Sequence, residues 1–154
     1  MYELSRPDQC SVGRAMDILG ERWTFLILRE SFYGVRRFSD MQRNLGIARN
    51  ILSARLQTLV RAGVLERRRG EGSERHEYRL TTMGRDLFPV LVAIMRWGDT
   101  HLAGDEGPPL SLRHTCGHDA EPEIVCRHCH EPLRARDVTP EERSPRIPTT
   151  TEAA

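Results

Sequence analysis

Residues 48–69 decide the fold of this chain, and they read ARNILSARLQTLVRAGVLERRR. In the first fifteen of them an apolar stripe recurs every three or four positions, at Leu52, Leu56, Leu59 and Val60. That spacing places the four side chains on one face of an α-helix over 48–62. The opposite face carries polar side chains. The pattern therefore predicts a helix that packs on one side and leaves the other side free for a partner.

The segment after this helix predicts a two-stranded hairpin. A glycine ends the helix, and two short runs that begin at Val64 and His76 flank a polar loop containing glycine. Arg69 and Arg75 flank the tip of that loop. A basic hairpin directly after a helix with a free polar face is the arrangement called a wing, here over 66–79. Such a wing is suited to phosphates or to a minor groove.

The residues before position 48 predict three further helices. The first runs from Ser11 to Leu19, and the second, from Arg22 to Tyr33, is so apolar that we expect it to be buried at the centre. Ser39 is a good N-cap for a short third helix, and Arg36 to Phe38 could form a short strand. Gly46 supplies the break before the helix over 48–62, which completes a helix-turn-helix.

A long helix is expected downstream of the hairpin, from Thr81 or Thr82 to about Leu102. Its apolar residues cover more than one face, which indicates a second partner surface and therefore a homodimer. Glycine and proline residues mark a linker over 104–111. A small Cys/His module follows over 112–138, and the tail over 139–154 has the composition of a disordered segment.

Charge is divided unevenly along the 154 residues, although the formal net charge is only +1. Residues 1–103 contain 17 Arg against 12 Asp and Glu, whereas residues 104–154 contain 6 against 10. Between Arg36 and Arg79 the imbalance rises to 11 Arg against 5 acidic residues. A local basic excess of this kind favours a polyphosphate partner, so the helix-turn-helix and wing are where we expect nucleic acid to bind.

Several motifs in the chain are similar to those of a known family. It closely resembles the HxlR-type winged helix-turn-helix regulators, over about residues 10–102, through Cys10-Ser11-Val12, Gly20-Glu21-Arg22-Trp23-Thr24, Arg37-Phe38-Ser39-Asp40, Asn50-Ile51-Leu52-Ser53-Ala54-Arg55-Leu56 and Tyr78-Arg79-Leu80-Thr81. Two positions depart from the family's usual residues, because Ser11 and Arg49 stand where members often have proline.

The resemblance implies a transcriptional regulator that binds pseudo-palindromic operator DNA as a homodimer, and the habit of the family favours repression. The expected fold class is mainly α with a small β wing. A winged helix-turn-helix domain over 1–103 is followed by a small zinc-ribbon-like C-terminal module.

The candidate DNA-binding residues lie on the recognition helix, in the wing and before the third helix. A helix in the major groove reads base edges from its N-terminal half, where Asn suits adenine and Arg suits guanine. Arg55 could anchor a phosphate or pair with Asp40. The full candidate set comprises Arg37, Ser39, Arg49, Asn50, Ser53, Arg55, Gln57, Arg69 and Arg75.

The Cys/His module is a candidate for structural Zn²⁺. Cys126 and Cys129 form a C-x-x-C knuckle, and Cys116 and His118 would complete a tetrahedral set, with His114, His128 and His130 as alternates for the fourth ligand. The region also resembles the zinc-ribbon-like tail of some relatives, in several of which the ligand set is incomplete. A ribbon that folds without metal is therefore the alternative. A zinc-ribbon adaptor for protein or RNA, with the helical part as scaffold, is the alternative function.

Cys10 lies at the entrance of the first helix, where the helix dipole and free N–H groups favour a thiolate. In some family members the corresponding cysteine senses oxidants or electrophiles; the alternative is a small buried side chain near the dimer interface. An oxidant or a small molecule is thus a candidate effector. No enzyme motif occurs, and neither a signal peptide nor an apolar run of membrane-spanning length is present, so we expect a cytoplasmic regulator that is not an enzyme.

Overall fold

The structure is a computed structural model that describes residues 10–70 and 75–141. Its elements follow the chain as α1 (Ser11–Leu19), α2 (Arg22–Phe32), α3 (Phe38–Leu45), α4 (Arg49–Arg61), β1 (Leu65–Arg69), β2 (His76–Leu80), α5 (Thr82–Arg85) and α6 (Phe88–Leu102). A 3₁₀ turn at Ala135–Asp137 follows later in the chain. Among the described residues, 10–122 and 123–141 belong to two separate compact units. No helix in the described ranges is long and apolar enough to cross a membrane.

Helix α2 lies at the centre of the first unit, as its composition predicts. Ile27 and Leu28 are fully buried, and α2 contacts α3, α4, β2 and α6. The predicted stripe of α4 is confirmed, because Leu52, Leu56 and Leu59 are buried while Val60 is half-buried. Burying such aliphatic side chains contributes about 1.5–3 kcal/mol each. The apolar face of α4 therefore fixes the helix on the core and leaves its polar face outward.

The turn between α3 and α4 depends on Gly46, which has a φ of 61°. An L-residue with a side chain adopts this left-handed conformation only at a cost, whereas glycine does so freely. The turn then continues through Ile47, which is buried in the core. The predicted break between the two helices is thus confirmed, and with the antiparallel β1–β2 hairpin it makes a winged helix-turn-helix.

A buried carboxylate fastens α3 to α2. Glu30 is 6% exposed, and its two oxygens accept hydrogen bonds from Arg29 Nη2 at 2.9 Å and Asn44 Nδ2 at 2.8 Å. A buried carboxylate is costly unless such partners are present. Glu30 therefore stabilises the position of the first helix of the helix-turn-helix.

Two predictions about α3 are wrong. The helix begins at Phe38, and Arg37 rather than Ser39 is its N-cap residue, because the Arg37 carbonyl accepts the first helical bonds from Asp40 and Met41. The partly buried Phe38 packs against the core, so the first turn is held by packing rather than by a capping hydroxyl. Within the described ranges, residues 36–38 form no strand, although Tyr78 N–H donates to the Arg36 carbonyl at 2.8 Å.

The long downstream helix is two helices. Thr81, one of the two predicted caps, accepts from Gly84 N–H at 3.1 Å and starts α5, which ends at Arg85. Pro89 has no N–H for the bond back to residue 85, and its ring crowds that carbonyl, so the chain restarts as α6. The prediction of one continuous helix overlooked this proline.

The second unit is a short turn-rich segment. Val125 and Pro132 form an isolated antiparallel bridge around the C-x-x-C turn. Within that turn, Cys126 N–H donates to the Glu131 carbonyl at 2.9 Å and His130 N–H to the Cys126 carbonyl at 2.8 Å. Most of the tail predicted to be disordered, residues 142–154, lies outside the described residues, as does the wing tip at 71–74.

Candidate nucleic-acid interface

A groove separates the outer face of α4 from the wing. It encloses about 690 Å³. On the helix side it is lined at a spacing of four residues by Arg49, Ser53, Gln57 and Arg61. This spacing follows the helical repeat, so the four side chains form one row along α4.

The wing supplies the other wall of the groove through one face of its hairpin. Leu65, Arg67 and Arg69 of β1 lie opposite Leu80, Tyr78 and His76 of β2. Because side chains alternate along a strand, these three pairs share a face. Arg67, Arg75, His76 and Tyr78 line the groove. The wall is therefore basic and aromatic.

Arg49 is held in place at the start of α4. Its guanidinium lies over the ring of Phe38 at 5.5 Å from the centroid. A cation over an aromatic face is stabilised by about 0.5–1 kcal/mol at an exposed site. Arg49 is thus held beside the groove before any partner binds.

The predicted site residues fall into two groups. Arg49, Ser53, Gln57 and Arg75 line the groove together. Outside that lining, Asn50 and Arg69 are exposed on α4 and β1, and Ser39 is exposed on α3. Arg37 lines a separate cavity of about 430 Å³ with Arg36 and Arg43.

Arg55 has a partner inside the protein, but it is not Asp40. Its Nη1 lies 3.7 Å from Glu21 Oε1, and its side chain is only 25% exposed. Asp40 instead pairs with Arg43 at 2.7 Å. Arg55 therefore fastens α4 to the N-cap of α2, and the alternative pairing with Asp40 is wrong.

Sequence reasoning missed Arg61, Arg67, His76 and Tyr78. The signal was present, since Arg61 continues the four-residue spacing from Gln57, and Arg67 shares the strand parity of Arg69. Applying the helical and strand repeats to the whole segment would have found the first two. The facing positions of His76 and Tyr78 depend on the hairpin register, which the sequence alone does not fix.

Cys10 is the N-cap residue of α1, with an extended backbone. The backbone N–H groups of Gly13 and Val12 face the thiol and, with a smaller contribution from Arg14, hold the pKa of Cys10 below its usual value. The side chain is partly exposed. Nearby N–H groups stabilise a thiolate more than a thiol, so this cysteine is suited to nucleophilic chemistry.

The first pair of predicted zinc ligands lies in the unit that ends at residue 122. Cys116 Sγ is 3.8 Å from His118 Nδ1, in a turn closed by the Arg113–Asp119 bridge. Zinc bonds of about 2.3 Å to sulfur and about 2.0–2.1 Å to nitrogen imply about 3.6 Å between such atoms at tetrahedral geometry. His114 Nδ1 instead faces Cys116 N–H at 3.3 Å. Cys116 and His118 thus fit two positions of one metal site.

The second pair lies in the unit that begins at residue 123. The N–H groups of Cys129 and His128 face the Cys126 sulfur, and together with the Cys129 side chain they hold the pKa of the Cys126 thiol below its usual value. His130 follows with a φ of 61°. This turn suits two thiolate ligands. Among the described residues, no group of three or more His, Cys, Asp or Glu side chains is assembled at metal-binding distances.

Known proteins share this architecture and much of this sequence. The family model for the HxlR-like helix-turn-helix matches residues 18–106. The uncharacterized HTH-type transcriptional regulator Rv3095 of Mycobacterium tuberculosis is 57% identical over 133 residues, which cover 85% of this chain and 84% of that protein.

Among solved structures, the candidate transcription factor PA1607 has a TM-score of 0.82 and 36% identity, covering 88% of this chain and 96% of that one. The reduced form of the redox regulator HypR has a TM-score of 0.55 and 26% identity, covering 59% and 92%. The chain therefore belongs to the HxlR-like helix-turn-helix family and is a transcriptional regulator of the helix-turn-helix type.

Proposed function

We propose that the chain binds double-stranded operator DNA with α4 in the major groove and the wing on the neighbouring backbone or minor groove. The observation that carries this proposal is the groove between α4 and the wing. One wall is a row of polar side chains at helical spacing, and the other is the basic face of the hairpin. A helix fits the major groove, and cations beside it suit phosphates.

The residues divide into two roles. Arg49, Asn50, Ser53 and Gln57 come from the N-terminal and middle turns of α4, where side chains reach base edges. Phosphates would be contacted from the wing by Arg67, Arg69 and Arg75 and from the end of α4 by Arg61. Arg37, just before α3, and Ser39, within it, would contact phosphates as well. Arg55 would reach DNA only by leaving Glu21, so we assign it a positioning role.

The test is binding to operators selected from a random double-stranded library, followed by fluorescence anisotropy. We expect Gln57→Ala to relax base preference at one position and to cost about 1–3 kcal/mol there. Arg67→Gln should weaken all sequences alike and lower the salt slope by about one. The matched control is Arg134→Gln, because Arg134 is an exposed arginine of the second unit. Affinity that does not depend on salt would overturn the proposal.

The operator-bound form we propose is a homodimer that represses transcription. Exposed apolar residues recur at three- and four-residue spacing on α6, at Val90, Ile94 and Trp97, and on α1 at Val12 and Met16. Stripes of this kind are typical of interfaces. Two related recognition helices would then meet half-sites about 10 base pairs apart. A promoter-reporter assay distinguishes repression from activation, because deletion of a repressor raises expression of the reporter.

We also propose structural Zn²⁺ held by Cys116, His118, Cys126 and Cys129. The distance from Cys116 to His118 suits two zinc ligands, the C-x-x-C turn is typical of two more, and a closed Cys₃His set supports folding rather than catalysis. Elemental analysis of the purified full chain should give one zinc per chain, reduced in Cys126→Ser and unchanged in Cys10→Ser. Absence of stoichiometric zinc would overturn the assignment in favour of a ribbon that folds without metal.

Finally, we propose Cys10 as the residue through which an oxidant or electrophile reaches the regulator. Its thiol is partly exposed and faces the N–H groups of α1, and α1 also carries part of the proposed dimer surface. Modification at the entrance of α1 would therefore act on dimer geometry. Operator affinity that is unchanged after complete labelling of Cys10 would contradict this role.

A further inference from the structure

Another cavity, of about 650 Å³, lies behind the wing and is called here the rear cavity. The C-terminal end of α2, the hairpin and α5 enclose it, and among the described residues no side chain of α4 lines it. Its volume falls in the range of roughly 300–1,000 Å³ that is usual for small-molecule sites. Tyr78 lines both this cavity and the groove assigned to DNA, whereas Arg36, Arg68, Arg79 and Arg85 line only this one of the two.

The hairpin register explains why the two cavities differ. Arg67 and His76 line the α4 groove, whereas Glu66, Arg68 and Arg79 line the rear cavity. Glu66 lies opposite Arg79 in the sheet, and their parity is opposite to that of Arg67. The charged side chains of the hairpin are therefore divided between the two sites by strand parity, while Tyr78 borders both.

Positive charge is in excess in this cavity. Four arginines line it, Arg36, Arg68, Arg79 and Arg85, and among the described residues Glu66 is the only carboxylate that does so. Glu66 pairs with Arg68 at 2.7 Å, and Glu77 pairs with Arg79 at 3.1 Å. Two of the four cations thus have carboxylate partners and two do not.

The two remaining arginines differ in how they are held. Arg85 donates to the Leu80 carbonyl at 2.9 Å and to Thr82 Oγ1 at 3.1 Å, which fixes the guanidinium without neutralising its charge. Arg36 is exposed, and its side chain has no polar partner among the described residues. Fixed guanidinium groups bind carboxylate or phosphate in a bidentate manner.

We propose that this cavity is a binding site for a small polyanionic effector, a phosphate or polycarboxylate compound held by Arg36 and Arg85. Carboxylate and phosphate each present two oxygens that can accept the paired N–H donors of a guanidinium. The bound anion would lie against both strands of the wing and would oppose DNA binding through its negative charge. That consequence rests on the proposed DNA function, whereas anion binding itself does not.

The experiment is calorimetric titration of the full chain with inorganic phosphate and, in a separate arm, with citrate. Saturable binding of either probe is expected, and the two arms show which chemistry is preferred. Arg36→Gln and Arg85→Gln should each weaken binding about tenfold, as expected for loss of one charge-assisted contact. Arg134→Gln, outside the cavity, should leave it unchanged. Thermal melting checks that each variant is folded.

Three results would overturn the proposal. The first is no saturable binding of either probe, and the second is an equal loss in all three variants. The third is a fall in DNA affinity for Arg36→Gln while binding of the probes is unchanged, because this would assign the cavity to backbone phosphates. DNA binding that fails while anion binding persists would reject the proposed DNA function alone.

Discussion

At the scale of single residues, the buried carboxylate of Glu30 joins α2 to Asn44 of α3. Glu30→Ala removes the buried acceptor of both Arg29, which is 35% exposed, and Asn44, which is exposed. We expect a loss of about 1–3 kcal/mol in the free energy of unfolding, because hydrogen bonds to a charged group that join α2 to α3 are lost. Urea denaturation measures this change.

The matched control for Glu30 is Glu66→Ala, which breaks the pair with Arg68. The two side chains of that pair are 35% and 64% exposed, so water replaces the lost contact, and the change should stay within about 1 kcal/mol. Equal losses of unfolding free energy in the two variants would contradict a structural role for the Glu30 carboxylate.

Cys10 gives a prediction about pH. Because the pKa of its thiol is below the usual value in the folded chain, the thiolate should form at lower pH than in the unfolded chain. The rate of iodoacetamide alkylation, followed by mass spectrometry of the Cys10 peptide, should therefore rise through a lower midpoint. In urea the midpoint should move upward, and identical midpoints in the two states would contradict the role of the Gly13 and Val12 N–H groups.

The residues of α4 show which positions the sequence predicts and which it does not. Ser53 and Gln57 could be predicted because helical spacing places them off the apolar stripe of α4, and Arg49 because it stands at the start of the helix. The pairing of Arg55 with Glu21 could not, since it depends on how α2 crosses α4 in space. Helical spacing determines which residues share a face of a helix. The partner of a long side chain at the edge of that face depends instead on the residues packed beside it.

At the scale of elements, the junction of the wing with α5 depends on a glycine. A Cβ on Gly84 would lie 2.2 Å from the Val64 carbonyl oxygen, and that oxygen also accepts from Thr81 N–H at 3.1 Å. Gly84→Ala must therefore displace α5 from Val64, the residue before β1. We expect a loss of about 1–3 kcal/mol in thermal or urea unfolding, as for an overpacked core.

Gly98→Ala is the control for this junction, because a Cβ there meets nothing within 4 Å and the residue lies inside α6. Alanine has the higher helix propensity, so this variant should gain up to about 1 kcal/mol. A Gly84→Ala variant as stable as the parent chain would mean that α5 is not packed closely against Val64.

Element boundaries were predicted well where a local signal dominates and poorly where packing does. Gly46 fixed the turn before α4, and Thr81 began α5, because both effects operate within one turn of chain. The start of α3 was misplaced since Phe38 is held by the core rather than by a cap. The break before α6 had a local signal in Pro89, which the apolar periodicity on either side concealed.

At the scale of the whole molecule, the uneven charge and the uncovered apolar stripe point to two different partners. The basic excess is concentrated from Arg36 to Arg79, within the helix-turn-helix and wing. The apolar residues Ile94 and Trp97 lie on α6, outside that region, and Trp97 is 59% exposed. DNA and a second copy of the chain can therefore bind through different elements.

Ile94→Asp tests whether a second copy of the chain binds through α6. A carboxylate in the middle of an apolar interface loses burial and gains a desolvation cost, so the dimer should dissociate at least about tenfold more readily. Sedimentation velocity over a concentration series measures this. Affinity for a two-half-site operator should fall with it, while affinity for a single half-site should change little, because only the former needs two joined recognition helices. Val138→Asp, at a similarly exposed position of the second unit, is the control. A parent chain that sediments as a monomer, or equal effects of the two variants, would contradict an interface on α6.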